Sequence, residues 1–251
     1  MDITEILAKI QESNKSASFT SWSPTLQKNV KFVGFNSGHQ QNFVQNLMDS
    51  PFLNAPFVVS LAKAIGESWI DDVAFDPSAL TVQDKAAFMT NIWINSYDIP
   101  RSRAIKDLYK TPEQSAPSDK TISHLDYMVT INFPSILKEA QYSKYMHEWA
   151  TQNFKPDENG SVSLLNSLLY LLEPLVYIKS LKIKEDVIDL NELDISTQVE
   201  LGRNLPISLI KKVDDTIAEF FTPLLNKIKT VSTEEGETVI NLNNSDFILT
   251  D

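Results

Sequence analysis

The chain has 251 residues, 33 acidic and 22 basic for a formal net charge of −11, with three histidines and no cysteine. Without cysteine it forms no disulfide, thiolate metal site or cysteine nucleophile, and so acidic a surface repels phosphate backbones and excludes nucleic acid as a general partner. An apolar share of 42% and a charged share of 22% are those of a folded chain, long enough for one large core or two small ones.

Residues 1–24 read as an amphipathic helix followed by a polar linker. Ile3, Ile6, Leu7 and Ile10 recur at helical spacing, and ten residues alone do not hold a helix in water. The stripe therefore docks either on the chain's own body or on another protein. The opening MDITEILAKI is acidic where a secretion signal is basic.

From Asn29, Val30, Phe32 and Phe35 mark a strand. Asn36-Ser37-Gly38 ends it, and Ser37 is the expected cap of a helix bearing Phe43, Val44 and Leu47. A second helix follows at Phe57–Ser68, with Val58, Leu61 and Ile65 at a 3.6 period. Thr81 and Asp84 open a third in the manner of a capping box, with Ala87, Phe88, Ile92 and Ile94 along it. The stretch APSDKT, Ala116–Thr121, marks a boundary between a first subdomain, 25–115, and a second, 119–229.

In the second subdomain Tyr127, Val129, Ile131 and Phe133 alternate as a strand that Pro134 ends. A helix with Ile136, Leu137, Tyr142, Tyr145 and Trp149 runs to about Phe154, and Ser161 or Ser163 caps a leucine-rich helix. Leucines surround nearly the whole of that helix, so it is buried by default or covers a partner; Leu168 and Leu172 are its candidate partner-binding residues. The stretch Ser163–Ile178, interrupted by Asn166, Glu173 and Pro174, is too short for a bilayer, so no membrane contact is expected and the chain is expected to be soluble.

YIKSLKIKEDVIDL, Tyr177–Leu190, reads as a hairpin. It has no glycine at its Lys184-Glu185-Asp186 corner, so a longer, open turn is expected. Its edge either offers backbone groups to a partner strand or, the favoured reading, is covered internally or guarded by Lys179, Lys182 and Lys184. A helix near Ser196–Arg203 and a long one from about Ile207 to Lys229 follow. Residues 230–251 form an acidic tail with two short extended pieces, TVINL and DFILT, in which Phe247 and Ile248 are candidate partner-binding residues. The whole is α+β, mostly helical with short strands and a hairpin near 177–190.

Chemistry is hard to find. Gly34 and Gly38, the one close pair among six glycines, match no phosphate-loop spacing, and no lysine follows. His147-Glu148 lacks the second histidine of a zinc helix, and Ser37-Gly38-His39 lacks the surroundings of a nucleophile elbow. Glu185-Asp186 and Glu234-Glu235 are neighbours whose side chains point apart and share no proton. No catalytic, cofactor-binding or metal-ligating residue emerges, and the expectation is a protein that is not an enzyme. A rival enzymatic reading requires a pocket that gathers His124, His147 and Glu148.

Four stretches, in their order, resemble the baseplate hub assembly proteins of T-even-type contractile-tailed bacteriophages: VKFVGFNSGHQQNFVQNLM, LTVQDKAAFMTNIWINSY, YMVTINFPSILKEAQY, and the long run from LEPLVYIKSLKIKEDVIDL to LPISLIKKVDDTI. The likeness spans roughly residues 29–220. It implies a non-enzymatic role in assembling the hub of the tail baseplate in the host bacterial cytoplasm. The implied partners are other hub proteins, with self-association as a further expectation at the two ends of the chain. The protein is then either an assembly chaperone that leaves or a component retained in the virion; an acidic chain that spends time free favours the chaperone.

Overall fold

The computed structural model describes residues 3–49, 55–153, 161–233, 236–242 and 244–247. Helix accounts for 57% of it and strand for 19%, and the named strands all pair antiparallel, so the class is α+β.

Helix α1 (Ile3–Ser16) leads into the hairpin of β1 (Phe19–Ser23) and β2 (Lys28–Phe32), paired from Phe19↔Phe32 to Ser23↔Lys28. The expected linker thus contains a strand, hidden because its inward residues Ser21 and Ser23 are hydroxyls rather than hydrocarbons. Helices α2 (Ser37–Asp49), α3 (Ala55–Ser68), α4 (Val82–Ser96) and α5 (Pro100–Lys106) follow. Asn36, not Ser37, caps α2: its Oδ1 accepts from the His39 N–H at 3.0 Å, while its own N–H donates to the His39 ring at 3.1 Å.

The second half builds a four-stranded sheet ordered β3 (Lys120–His124), β4 (Tyr127–Ile131), β5 (Ile178–Ile183) and β6 (Asp186–Asp189). Helices α6 (Ile136–Asn153) and α7 (Ser161–Leu175) lie between β4 and β5 in sequence. One cross-strand row, Ile122, Val129, Leu181 and Ile188, faces inward; the next, Ser123, Met128, Lys182 and Val187, faces outward, which is the period of two that leaves an antiparallel sheet with one wet face.

The expected hairpin is β5–β6, with two corrections. Ile183 pairs with Asp186, so the turn is the two residues Lys184-Glu185 and is tight rather than open. Lys184 takes the left-handed φ of +57° without a glycine, and Leu125 does the same at the β3–β4 turn with +53°. The Lys184 N–H donates across to the Asp126 carbonyl at 3.4 Å, so the two turns support each other. Second, β5 lies inside the sheet with β4 paired along it, so its edge is covered internally, as the favoured reading allowed, and Lys179 and Lys182 guard no edge; the hairpin's own outer strand is β6, whose Asp186 and Asp189 supply charge there.

After the 3₁₀ turn Leu190–Glu192 come α8 (Ile195–Arg203), α9 (Ile207–Thr216) and α10 (Thr222–Lys229). The last two form the long helix expected from Ile207 to Lys229, interrupted by a π turn over Ile217–Phe221 in which the Thr222 N–H bonds to the Ile217 carbonyl. Pro223 accounts for the widening, since in a regular helix its ring would meet the carbonyl of Glu219. The chain ends its described course with β7 (Thr230–Thr233), β8 (Gly236–Val239) and a 3₁₀ turn, Asn244–Phe247.

Two hydrophobic cores result. The first gathers Phe32, Phe43, Phe57, Ile65, Phe88 and Trp93 with Ile228, Val231, Ile240 and Phe247 from the far end of the chain. The second packs the sheet's inner face against α7, α8 and α9 through Val129, Leu172, Leu181, Val199 and Val213. The cores meet where α4 and α6 begin: the Val82 N–H donates to the Pro134 carbonyl at 3.0 Å, and the Ile136 N–H to the Leu80 carbonyl at 2.8 Å.

The described residues between 230 and 247 are therefore not a free acidic tail. The Phe247 ring lies 5.4 Å from Phe57, 5.8 Å from Phe43 and 6.1 Å from Tyr97, centre to centre. The Trp93 indole N–H donates to the Asp246 carbonyl at 2.7 Å and the Tyr97 hydroxyl to the Phe247 carbonyl at 2.8 Å. Arg101 closes the clamp on the Asp246 carboxylate.

Candidate functional site

The expected partner-binding residues separate into two groups. Ile3, Ile6 and Ile10 on α1 are 71%, 41% and 51% exposed, and none of the described side chains of α1 belongs to either core. They follow the helical spacing read from the sequence and form an uncovered apolar stripe. The side chain of Leu7 and all of Ile248 lie outside the described residues. Leu168, Leu172 and Phe247 are corrections: all three are buried, the leucines in the second core and Phe247 in the first. Their hydrocarbon closes the chain's own interior, so none of them is presented to a partner. The outward side of α7 offers Val162, Leu164 and Tyr170 instead.

Of the groups required by an enzymatic reading, His124 lies on β3 and His147 and Glu148 lie on α6. His124, on β3, shares a 2.7 Å hydrogen bond with the Ser208 hydroxyl of α9. His147 lies on α6, where its carbonyl accepts from Thr151, and Glu148 stands 3.8 Å from Lys144. His39 bonds the Glu67 carboxylate through Nε2 at 2.8 Å while its Nδ1 accepts from Asn36, so the Ser37-Gly38-His39 run is a helix start. Among the described residues no group of three or more histidine or acidic side chains is placed to hold a metal ion.

Two buried charges stand out. The Asp84 carboxylate, fully buried, accepts from the Ser23 hydroxyl at 2.6 Å, the Thr25 N–H at 3.0 Å, and the Thr81 N–H and hydroxyl both at 2.8 Å, with the Thr25 hydroxyl as a fifth donor. The capping box legible in the sequence is therefore half of a larger knot that ties the β1–β2 turn to the start of α4. These donors and the helix N-terminus stabilise the charge without a cation.

Lys138, only 7% exposed, is its counterpart. Its ammonium donates to the Ile178 carbonyl at 2.7 Å and to Asn191 Oδ1 at 3.1 Å. Burial pushes its pKa down to about 8, opposed by the charge of Asp189. It lines a cleft of about 730 Å³ between the first half of α6 and the segment from Asn191 to Gln198. Beside it the Tyr142 hydroxyl donates to Gln198 Oε1 at 2.7 Å, and Gln198 Nε2 donates to the Leu193 carbonyl at 2.8 Å. Sequence reasoning passed over Lys138, because a lysine three places after a serine at a helix start looks like any solvated position.

Compared with known proteins, the chain matches no family model, no curated protein and no solved structure. Among the described residues no helix is long and apolar enough to cross a membrane.

Proposed function

We propose that the chain works by contact with other proteins, as an assembly chaperone for the tail baseplate hub of a contractile-tailed bacteriophage, acting in the host cytoplasm. The observation that carries the reading is the uncovered stripe of Ile3, Ile6 and Ile10 on α1. A helix of this length is marginal in water and gains most of its stability from packing its apolar face. Covering that face with a hub protein supplies the packing that neither core provides. The resemblance read along residues 29–220 supplies the class of partner.

The test is a pull-down with tagged protein from infected cells, alongside the triple variant Ile3→Ser, Ile6→Ser, Ile10→Ser. Wild-type protein is expected to capture hub proteins and to be missing from purified tails. The variant is expected to lose capture while its unfolding free energy stays within about 0.5 kcal/mol, as for other exposed substitutions. Undiminished capture by the variant would remove α1 from the reading. Stoichiometric recovery in mature particles would make the protein a retained hub component instead.

A further inference from the structure

The geometry points to the cleft beside α6 as a binding site for a carboxylate joined to an apolar body, with Lys138 as its countercharge. A lysine ammonium has three N–H donors, and two of them are taken, by the Ile178 carbonyl and Asn191 Oδ1. Both acceptors are neutral. Among the described residues no carboxylate stands within ion-pair distance of Lys138, while Lys144, on the same wall, already faces Glu148. Asp194 is committed as well, since its carboxylate caps α8 through the Thr197 N–H at 2.9 Å and hydroxyl at 2.7 Å.

The charge of Asp189 acts on this buried ammonium from beyond ion-pair distance, and an anion that reaches it directly stabilises it further. Lys138 keeps most of its charge at neutral pH, its pKa being about 8. The amide of Asn191 accepts at Oδ1, which leaves its NH₂ beside the ammonium as a second donor for a two-oxygen acceptor. One cation and one amide suit a carboxylate better than a phosphate dianion, which calls for more donors. In the same cleft, Phe133, Leu137, Tyr145, Leu193 and Ile195 contribute hydrocarbon to the lining. Its volume, about 730 Å³, is that of sites for small organic ligands. Such a carboxylate comes either free in solution or on an acidic side chain flanked by apolar residues of a bound protein.

Calorimetric titration of the full chain with 3-phenylpropionate, and with its neutral isostere 3-phenylpropionamide, tests the site. A third arm uses an end-blocked Leu-Glu-Leu peptide. The lysine side chains are followed by NMR in protein labelled at lysine Cε. The acid is expected to bind about ten- to a hundredfold more tightly than the amide, to raise the pKa at which the Lys138 resonance titrates, and to lose its advantage in Lys138→Met. Binding of the peptide alone, with the same movement of Lys138, keeps the carboxylate site and assigns its source to a protein. If Lys138→Met does not fold, the acid–amide comparison and the Lys138 resonance decide on the wild-type chain. Equal binding of acid and amide with an unmoved Lys138 resonance, or no binding of acid or peptide, overturns the proposal.

Discussion

Asp84 shows how much of this fold rests on single polar side chains. Its carboxylate collects donors from Thr81, three residues before it, and from Ser23 and Thr25, about sixty residues away. Asp84→Ala leaves those donors buried without an acceptor, and urea unfolding is expected to register a loss on the order of 3 kcal/mol. Asp84→Asn, which keeps the shape but offers one accepting oxygen, is expected to lose less. Lys138 sets a pH dependence. Its pKa falls to about 8 in the fold and returns to the ordinary lysine value on unfolding. Below pH 8 both states hold the proton and the desolvation cost is fully present. Above it the unfolded chain binds more protons, so stability rises with pH toward about 10.4. Lys229, lowered by burial and by Lys85, works in the same direction. Tyr109 and Tyr177, raised to about 12 by burial, reverse it above the ordinary tyrosine range, because there the folded state holds the extra protons. Between about pH 7.5 and about pH 9.5, wild type is therefore expected to gain on the order of 1 kcal/mol over Lys138→Met in urea melts; an unchanged difference would show that Lys138 is solvated.

At the level of elements, α8 packs its Gly202 against Leu175 of α7. A Cβ at Gly202 would meet Leu175 Cδ2 at 2.8 Å and Cδ1 at 3.2 Å, and Leu175 is fully buried. Gly202→Ala is expected to destabilise by about 1–3 kcal/mol despite alanine's better helix propensity, measured as a fall in thermal midpoint. Helices were the legible part of the molecule: the apolar periods of α2, α3, α4 and α6, and the Thr81–Asp84 start, lie where the spacing places them. Short strands were not. KTISH in β3 has one buried apolar residue, Ile122, and FTSWS in β1 turns two serines inward, so neither shows a hydrophobic alternation until its hairpin partner is known. The tight turns escaped for a related reason. Leu125 and Lys184 accept a positive φ only because the paired strands on both sides impose it, and the residues themselves announce no turn. Of the candidate surface, the α1 stripe was visible as a period, whereas the Lys138 cleft exists only once α6 lies beside the segment from Asn191 to Gln198.

Across the whole molecule, the largest departure from expectation is the return of Val231, Ile240 and Phe247 to the first core. An acidic composition reads as a solvated tail, yet Val231, Ile240 and Phe247 are enough apolar anchors to reverse that. Phe247→Ala, which empties a space ringed by Phe43, Phe57 and Tyr97, is expected to cost about 3–5 kcal/mol, and calorimetry of the purified variant checks it. The same arrangement sets a timetable for synthesis. Phe32 and Phe43 leave the ribosome early, but the ring that seals their cluster is made some two hundred residues later. The amino-terminal half must therefore wait with its aromatic interior open until translation has passed Phe247. A nascent chain halted short of that point is expected to expose the unfinished cluster to holdase chaperones.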